Sequence, residues 1–508
     1  MATLDSQRAV AVIGAGTMGA GIAQVAAMAG HPVILYDTRE GAAAQAIAGI
    51  GKTLQTLASR QKVDSAQAAR AVAALKPAQT LADLADCGLV VEAIVERLDA
   101  KAQLFAALED IVSPACLLAT NTSSIPVTAI GAALKHPGRL GGMHFFNPAP
   151  RLPLVEIISG LDTRPDTAQC LFDTAFAWGK SPVRARSTPG FIVNRVARPF
   201  YGEGLRLLQE QAVDAATLDY IARACGGFRM GPCELTDLIG QDVNAAVSRS
   251  VWAAFHHAPR FEPSLVQQEL VDGGRLGRKA GRGFFDYADG APAPAPSLAA
   301  SQPRPDVIAL FGGSPLAQAL GSRLRAAGVP FQACAERGDG RVAQADEALL
   351  YLTDGRSATQ RAHDLGQPAT LLLDLSLDPA TARCMPLAAA RQCPPAAVAA
   401  ATGLLQAAGL DVAPIRDVPG MVVMRTVAML ANEALDTVSQ GVCSAADVDQ
   451  AMRLGVNYPL GPLAWCARIG ADTVGTVLTH LHAAYGERYL PCAALKSSIY
   501  SGIPLHVA

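Results

Sequence analysis

His144 and Glu156 are the residues of this 508-residue chain whose types and spacing point most directly to proton chemistry. His144 lies in Gly141-Gly142-Met143-His144-Phe145-Phe146-Asn147-Pro148, and Glu156 lies in Leu154-Val155-Glu156-Ile157-Ile158, which reads as a strand. A histidine among apolar residues is more often a satisfied core residue than a catalyst. A carboxylate in a buried strand, however, is expensive without a partner. Pairing the two resolves both costs, because the carboxylate fixes the imidazole tautomer and leaves the other ring nitrogen to accept a proton near neutral pH. A second polar cluster, Asn121-Thr122-Ser123-Ser124, follows the predicted strand Leu117-Leu118-Ala119-Thr120. Ligands of open α/β sheets collect at such carboxyl ends.

The stretch that must position these groups runs from Val10 to Asp37. It reads as a buried strand (Val10-Ala11-Val12-Ile13), a glycine turn (Gly14-Ala15-Gly16-Thr17-Met18-Gly19), a helix closed by Gly30, and a second strand (Val33-Ile34-Leu35-Tyr36) ending in Asp37. A bare G-x-G-x-x-G is weak, but here it follows a strand and opens a helix, and Asp37 stands close to where a ribose-binding acid is expected after Gly19. Gly14 permits the tight turn, Gly16 lets backbone approach a pyrophosphate, and Gly19 lets the helix pack on the sheet. The helix N-terminus then faces the phosphates. Asp37 suits the ribose 2′-hydroxyl, which favours NAD over NADP, with Arg39 close by. A glycine turn that binds nothing is the bland alternative.

The length predicts several domains. Half of the residues are hydrophobic, only 5% are aromatic and the net charge is −2, so no broad basic surface for nucleic acid or anionic membrane is expected. Eleven cysteines lack metal-ligand or disulfide-framework spacing, which predicts reduced thiols, no metal site and a cytoplasmic setting. Neither a signal peptide nor a membrane-spanning run is expected. The stretch from Gly41 to Leu84 reads as mostly helical, and its charges as a solvated face.

The glycine turn, Asn121-Thr122-Ser123-Ser124, His144-Phe145-Phe146-Asn147-Pro148, Val155-Glu156 and Pro189-Gly190-Phe191-Ile192-Val193-Asn194-Arg195 together resemble the 3-hydroxyacyl-CoA dehydrogenase family, in order and spacing. Within it they are most similar to a long bacterial branch acting on 3-hydroxyadipyl-CoA in phenylacetate catabolism, through Ser187–Pro199 and Leu235–Asp242. The resemblance implies NAD-dependent oxidation of a (S)-3-hydroxyacyl-CoA to the 3-oxoacyl-CoA, with His144 as general base and Glu156 as its partner. It implies further that Ser123 and Asn194 hold the C3 oxygen, and that Gly14, Gly16, Thr17, Met18, Gly19, Asp37, Glu96, Lys101, Asn147 and Lys279 line the cofactor or its surroundings. Thr53 and Arg60 match positions contacting coenzyme A, with residue types that differ from those common in the family. Arg151-Leu152-Pro153 departs from the family pattern; Arg151 would suit the distal carboxylate of an adipyl chain, although a plain surface arginine is the commoner reading.

The second half repeats the first. Pro189-Gly190, Arg195, Glu203, Asp219, Gly231-Pro232 and Asp242 recur, all at one constant offset, as Pro419-Gly420, Arg425, Glu433, Asp449, Gly461-Pro462 and Asp472. The glycine turn recurs in damaged form at Gly312, with Ser314, Pro315 and Ala317 inside it and Ala335 where Asp37 stood; Asn194 becomes Met424. Leu371–Leu375 reads as a remnant strand. The expected architecture is an α/β Rossmann-like NAD-binding domain (1–188), an all-α domain (189–287), a proline- and alanine-rich linker (288–305), a degenerate, shortened Rossmann-like unit (306–415) and a second all-α domain (416–508). The fused copy suggests an internal pseudo-dimer through the repeated helical domain, with or without further self-association.

Three alternatives are open on the residues alone: a short-chain 3-hydroxybutyryl-CoA dehydrogenase of fatty acid metabolism, a lysine-dependent 3-hydroxyacid dehydrogenase, and an NAD-binding sensor without turnover. Asn194 stands where the second needs its lysine, and the His–Glu pair argues against the third. A fused hydratase is not expected, since the first strand starts near residue 10.

Overall fold

Short apolar runs account for most of the first sheet in the computed structural model, which describes residues 3–336 and 338–503. The chain divides into two units, Met1–Arg195 with Thr437–Val456 and Val196–Asp436 with Asn457–Ala508. In the first, β1 (Val10–Ile13), β2 (Val33–Tyr36), β3 (Leu75–Pro77), β4 (Leu89–Glu92), β5 (Leu117–Thr120), β6 (Leu140–Phe145), β7 (Leu154–Ser159) and β8 (Ser181–Arg186) form one sheet in the order β3-β2-β1-β4-β5-β6-β7-β8. Strands β1 to β6 run parallel, β7 pairs antiparallel with β6, and β8 runs parallel to β7. Helices cover such a sheet on both faces, so its central strands are buried: all four residues of β1 are apolar and buried, and β4 and β5 are apolar up to Glu92 and Thr120 at their ends. The order reverses between β1 and β4, and that switch point is where α1 (Thr17–Met28) begins.

The expected helical stretch after Gly41 resolves into α2 (Ala42–Ser59), the helix Ser65–Ala73 and the edge strand β3. The strand escapes a reading by periodicity because only Leu75 of its three residues is buried. The second segment of this unit carries the helix Ala445–Gly455, which lies against β7 and β8. Arg186 N donates to Val442 O at 2.8 Å, and Arg195 Nη1 to Gln440 Oε1 at 2.9 Å. A Cβ on Gly455 would come within 2.7 Å of the Leu154 side chain and 3.1 Å of Val193, so this helix approaches the sheet closely.

The other unit holds a seven-stranded sheet of β9 (Ile308–Phe311), β10 (Gln332–Cys334), β11 (Arg341–Ala345), β12 (Ala348–Leu352), β13 (Thr370–Leu373), β14 (Cys384–Ala389) and β15 (Asp411–Pro414), in the order β10-β9-β11-β12-β13-β14-β15. Its last three strands reproduce β6 to β8 at the same offset as the helical repeat: Gly142 pairs with Ile158 and Leu372 with Ala388, Leu154 with Ser181 and Cys384 with Asp411. The first part differs. β11 runs antiparallel to β9, so no crevice between parallel carboxyl ends forms at that point. The Ser314 hydroxyl also accepts from Ala317 N and caps the helix Pro315–Ala326 from within.

In this unit the helix Ala215–Ala224 lies against β14, and Arg383 N donates to Ala224 O at 3.0 Å. Arg425 is fully buried, donating to Glu203 Oε2 and Glu210 Oε1, each at 2.8 Å, and Tyr489 and Arg206 complete the shell of Glu203. Burial pushes the Glu203 carboxyl up, but the charges of Arg206 and Arg425 outweigh it and hold it below the usual range. This network joins the first helical repeat to the second. The proline- and alanine-rich linker has neither helix nor strand, yet it is pinned: Ser297 N donates to Thr217 Oγ1, Ala299 N to Val412 O and Gln302 N to Gln406 Oε1.

Candidate active site

His144 stands on β6 directly across from Glu156 on β7, and antiparallel register puts their side chains on the same face. His144 Nδ1 lies 2.6 Å from Glu156 Oε2, with both residues buried. The other carboxylate oxygen accepts from the amides of Ile192 and Val193, each at 3.0 Å, where the helix Val193–Val196 begins. A carboxylate acceptor at Nδ1 assigns the proton to that nitrogen and leaves Nε2 as the acceptor. The rings of Phe146 and Phe191, with centroids 4.5 and 5.9 Å from the imidazole, restrict the water around it.

Asn194 follows the two amides that hold Glu156, and its Nδ2 reaches Ser123 O at 3.4 Å. The loop 121–124 is tied to the histidine strand as well, because Phe145 N donates to Asn121 Oδ1 at 2.8 Å. Glu96 fastens the loop from the other side: its Oε1 accepts from Thr122 Oγ1 at 2.7 Å, Ser123 N at 2.9 Å, Ser124 Oγ at 2.9 Å and Ser124 N at 3.0 Å. Burial raises the Glu96 carboxyl, but the ammonium of Lys101 and these donors overcome that and carry it down to about 2. Lys101 is itself 1% exposed, held between Glu92 at 2.6 Å and Glu96 at 3.2 Å.

The glycine turn has the features a dinucleotide needs. Gly14 has φ +103°, and a Cβ there would strike the carbonyl of Ala93 at 2.4 Å; one on Gly19 would meet Gly14 O at 1.7 Å. A Cβ on Gly16 would meet nothing within 4 Å. The chain's own packing thus explains two of the glycines, and the open side of the third, with exposed Thr17 and half-buried Met18, is the space a pyrophosphate would fill at the start of α1. Asp37 Oδ2 accepts from Ala15 N at 2.8 Å, and Oδ1 from Arg39 N at 2.9 Å. Burial pushes its carboxyl up, but these amides and the Arg39 guanidinium hold it below the usual range, so it stays an acceptor.

Asn147 is exposed just beyond β6, and Thr53 and Arg60 lie on the exposed side and C-terminal end of α2, Thr53 Oγ1 donating to Gly49 O. Lys279 belongs to the other unit, where its Nζ meets Asp242 at 2.6 Å. Sequence reasoning passed over Glu92, whose only signal was an acid ending an apolar strand. It also passed over Asp374, the position onto which the repeat offset carries His144. Asp374 is buried and accepts from the amides of Val422 (2.9 Å), Val423 (2.8 Å) and Met424 (3.0 Å). The same offset carries Glu156 onto Pro386. One carboxylate thus replaces the His–Glu pair.

A dinucleotide cradle beside an imidazole braced by a buried carboxylate is the equipment of a dehydrogenase acting on an alcohol carbon. Comparison with known proteins narrows the class. The 3-hydroxyacyl-CoA dehydrogenase NAD binding domain matches residues 9–188, the C-terminal domain of the same family matches 190–287 and 420–502, and the 3-hydroxybutyryl-CoA dehydrogenase reduced Rossmann-fold domain matches 350–419. A 3-hydroxyadipyl-CoA dehydrogenase of Escherichia coli K12 is 45% identical over 488 residues, 96% of each chain. A crystal structure described as 3-hydroxybutyryl-CoA dehydrogenase from Escherichia coli K12 superposes with TM-score 0.89 at 44% identity, covering 98% of this chain and all of that one. The (S)-3-hydroxybutyryl-CoA dehydrogenase of Ralstonia eutropha, at 35% identity and TM-score 0.54, is covered completely by 56% of this chain.

The chain belongs to the 3-hydroxyacyl-CoA dehydrogenase family. It is an NAD-dependent enzyme that oxidises 3-hydroxyacyl-CoA, built from a Rossmann-like NAD-binding domain, helical C-terminal-type domains and a second sheet of the reduced Rossmann type. Among the described residues no helix is long and apolar enough to cross a membrane, and no group of three metal-ligating side chains occurs.

Proposed function

We propose that the physiological substrate is (S)-3-hydroxyadipyl-CoA, oxidised in aromatic catabolism, and that His144, Glu156, Ser123 and Asn194 carry the reaction. The full-length similarity to the Escherichia coli 3-hydroxyadipyl-CoA dehydrogenase supports the adipyl chain. The observation carrying the residue roles is the 2.6 Å contact between His144 Nδ1 and Glu156, itself held by two helix amides.

His144 Nε2 takes the proton of the C3 hydroxyl. Glu156 keeps the imidazole oriented and offsets the positive charge it acquires, and Ser123 with Asn194 holds the C3 oxygen. Bound NAD supplies the acceptor for the hydride leaving C3. The turn Gly14–Gly19 seats the pyrophosphate and Asp37 the ribose, while Glu96, Lys101, Asn147 and Lys279 serve the cofactor's surroundings, and Thr53 and Arg60 the coenzyme A moiety. The chain is read as the five segments 1–188, 189–287, 288–305, 306–415 and 416–508, the repeated helical domains forming an internal pseudo-dimer. Its eleven free cysteines suit the cytoplasm.

The second reading, a 3-hydroxybutyryl-CoA dehydrogenase, is favoured by the description of the Escherichia coli crystal structure. The two substrates differ by a distal carboxylate. NADH formation with the adipyl and butyryl esters, in wild type and Arg151→Ala, separates the readings. The adipyl reading expects a higher kcat/KM for the adipyl ester; a clear preference for the butyryl ester replaces it. Arg151 is exposed in the turn between β6 and β7, and equal losses on both esters remove it from substrate recognition.

A further inference from the structure

The carboxylate of Glu92 is completely buried at the end of β4, and every donor around it is accounted for. Oε1 accepts from Lys101 Nζ at 2.6 Å and from Ile94 N at 2.7 Å, and Oε2 accepts from Thr120 Oγ1 at 2.7 Å. Burying such an ion pair gives little net stability, since desolvation offsets most of the attraction. What it gives is a fixed direction. Lys101 Nζ, held by Glu92, lies 3.2 Å from Glu96 Oε2, and the other oxygen of Glu96 gathers the hydroxyl of Thr122, the amides of Ser123 and Ser124 and the hydroxyl of Ser124. Glu96 stands on a loop between exposed Val95 and Arg97, with its side chain 37% exposed. Lys101 is the tether that reaches it from the interior.

We propose that Glu92 is a positioning residue for the oxidation: acting through Lys101 and Glu96, it sets where the 122–124 loop presents Ser123. The inference rests on the reading that Ser123 holds the C3 oxygen. The two acids and one ammonium leave a net negative charge on which the loop's donors converge. Without Glu92, the ammonium moves wholly onto Glu96 and draws that carboxylate inward, away from the loop. Displacement on the order of 1 Å at a positioning group costs about 100-fold in rate.

The test uses the full-length enzyme, NAD and 3-hydroxybutyryl-CoA, measuring kcat, both KM values, NADH binding by fluorescence and thermal midpoint. Glu92→Gln is expected to lower kcat by roughly 10- to 100-fold with the acyl-CoA KM within about threefold, because the coenzyme A contacts lie elsewhere. Lys101→Met is expected to lose a similar factor. The double variant should lose no more than the worse single one, because both act along one chain of contacts. Thr120→Val, close in volume, frees Glu92 Oε2 and is expected to lower kcat by about threefold or more in the same pattern. A folded, NADH-binding Glu92→Gln with kcat within about twofold of wild type overturns the proposal, as do losses that multiply in the double variant. Should Glu92→Gln fail to fold, unchanged kcat in Thr120→Val overturns it. Full activity in Ser123→Ala removes the underlying reading instead; an impaired Ser123→Ala beside a normal Glu92→Gln removes only this inference.

Discussion

Asp374 occupies in the second sheet the position that His144 holds in the first: each falls at the end of the corresponding strand, related by the offset of the repeat, beside a helix start. His144 reaches the helix amides through Glu156, whereas Asp374 accepts from them directly. With Pro386 at the Glu156 position and Met424 at the Asn194 position, the second copy keeps the anchor and loses the base.

Burial drives the Asp374 carboxyl up to about 6 against the amides that favour its charge. The folded chain then holds this proton more tightly than the unfolded chain. The group's contribution is full below about pH 4 and is lost as pH rises through about 6. Unfolding free energies from urea titrations of wild type and Asp374→Asn between pH 4 and pH 8 should diverge across that window, by at most about 3 kcal/mol, and run parallel above it. Per folded molecule, kcat should be unchanged.

Asp37 is poised as a hydrogen-bond acceptor at the end of β2. Asp37→Ala should raise the KM for NAD by about tenfold and narrow the preference over NADP, because a charge that repels a 2′-phosphate goes with the acceptor. Steady-state kinetics with both cofactors checks this; an unchanged ratio would disconnect Asp37 from the ribose.

Residues 437–456 belong to the same unit as the catalytic pair, with Gln440 on Arg195 and Gly455 against Leu154 and Val193. A chain ended at Ala288 lacks this cover and should be poorly soluble and inactive, or recover activity only by self-association. Gly455→Val should lower the thermal midpoint by several degrees, through crowding worth about 1–3 kcal/mol. An active, monomeric truncation would contradict the internal pseudo-dimer.

Much of the first unit was legible because its signals are local. Four apolar residues, a glycine turn and an acid identify β1 to Asp37 without reference to anything distant, and His144 and Glu156 announce themselves as polar residues in apolar runs. The exchange in which Ala445–Gly455 covers β7 and β8 while Ala215–Ala224 covers β14 was not legible. Amphipathic periodicity shows that a helix has a buried face, never which sheet buries it. Asp374 was hidden for another reason: the residue type changed while the offset persisted, and a search for a second histidine motif passes over a carboxylate doing half its work. The antiparallel β11 had no signal, since Arg341-Val342-Ala343-Gln344-Ala345 is too mixed to read as a buried strand and carries no direction.

The most direct test of the account is the rate of NADH formation by His144→Gln at saturating NAD and 3-hydroxyacyl-CoA, with NADH affinity measured on the same sample. Loss of the base predicts kcat lower by about 100- to 10,000-fold with NADH affinity kept within a few fold. A variant that binds NADH normally and turns over within about threefold of wild type would mean that the imidazole does not take the proton, contradicting the central claim.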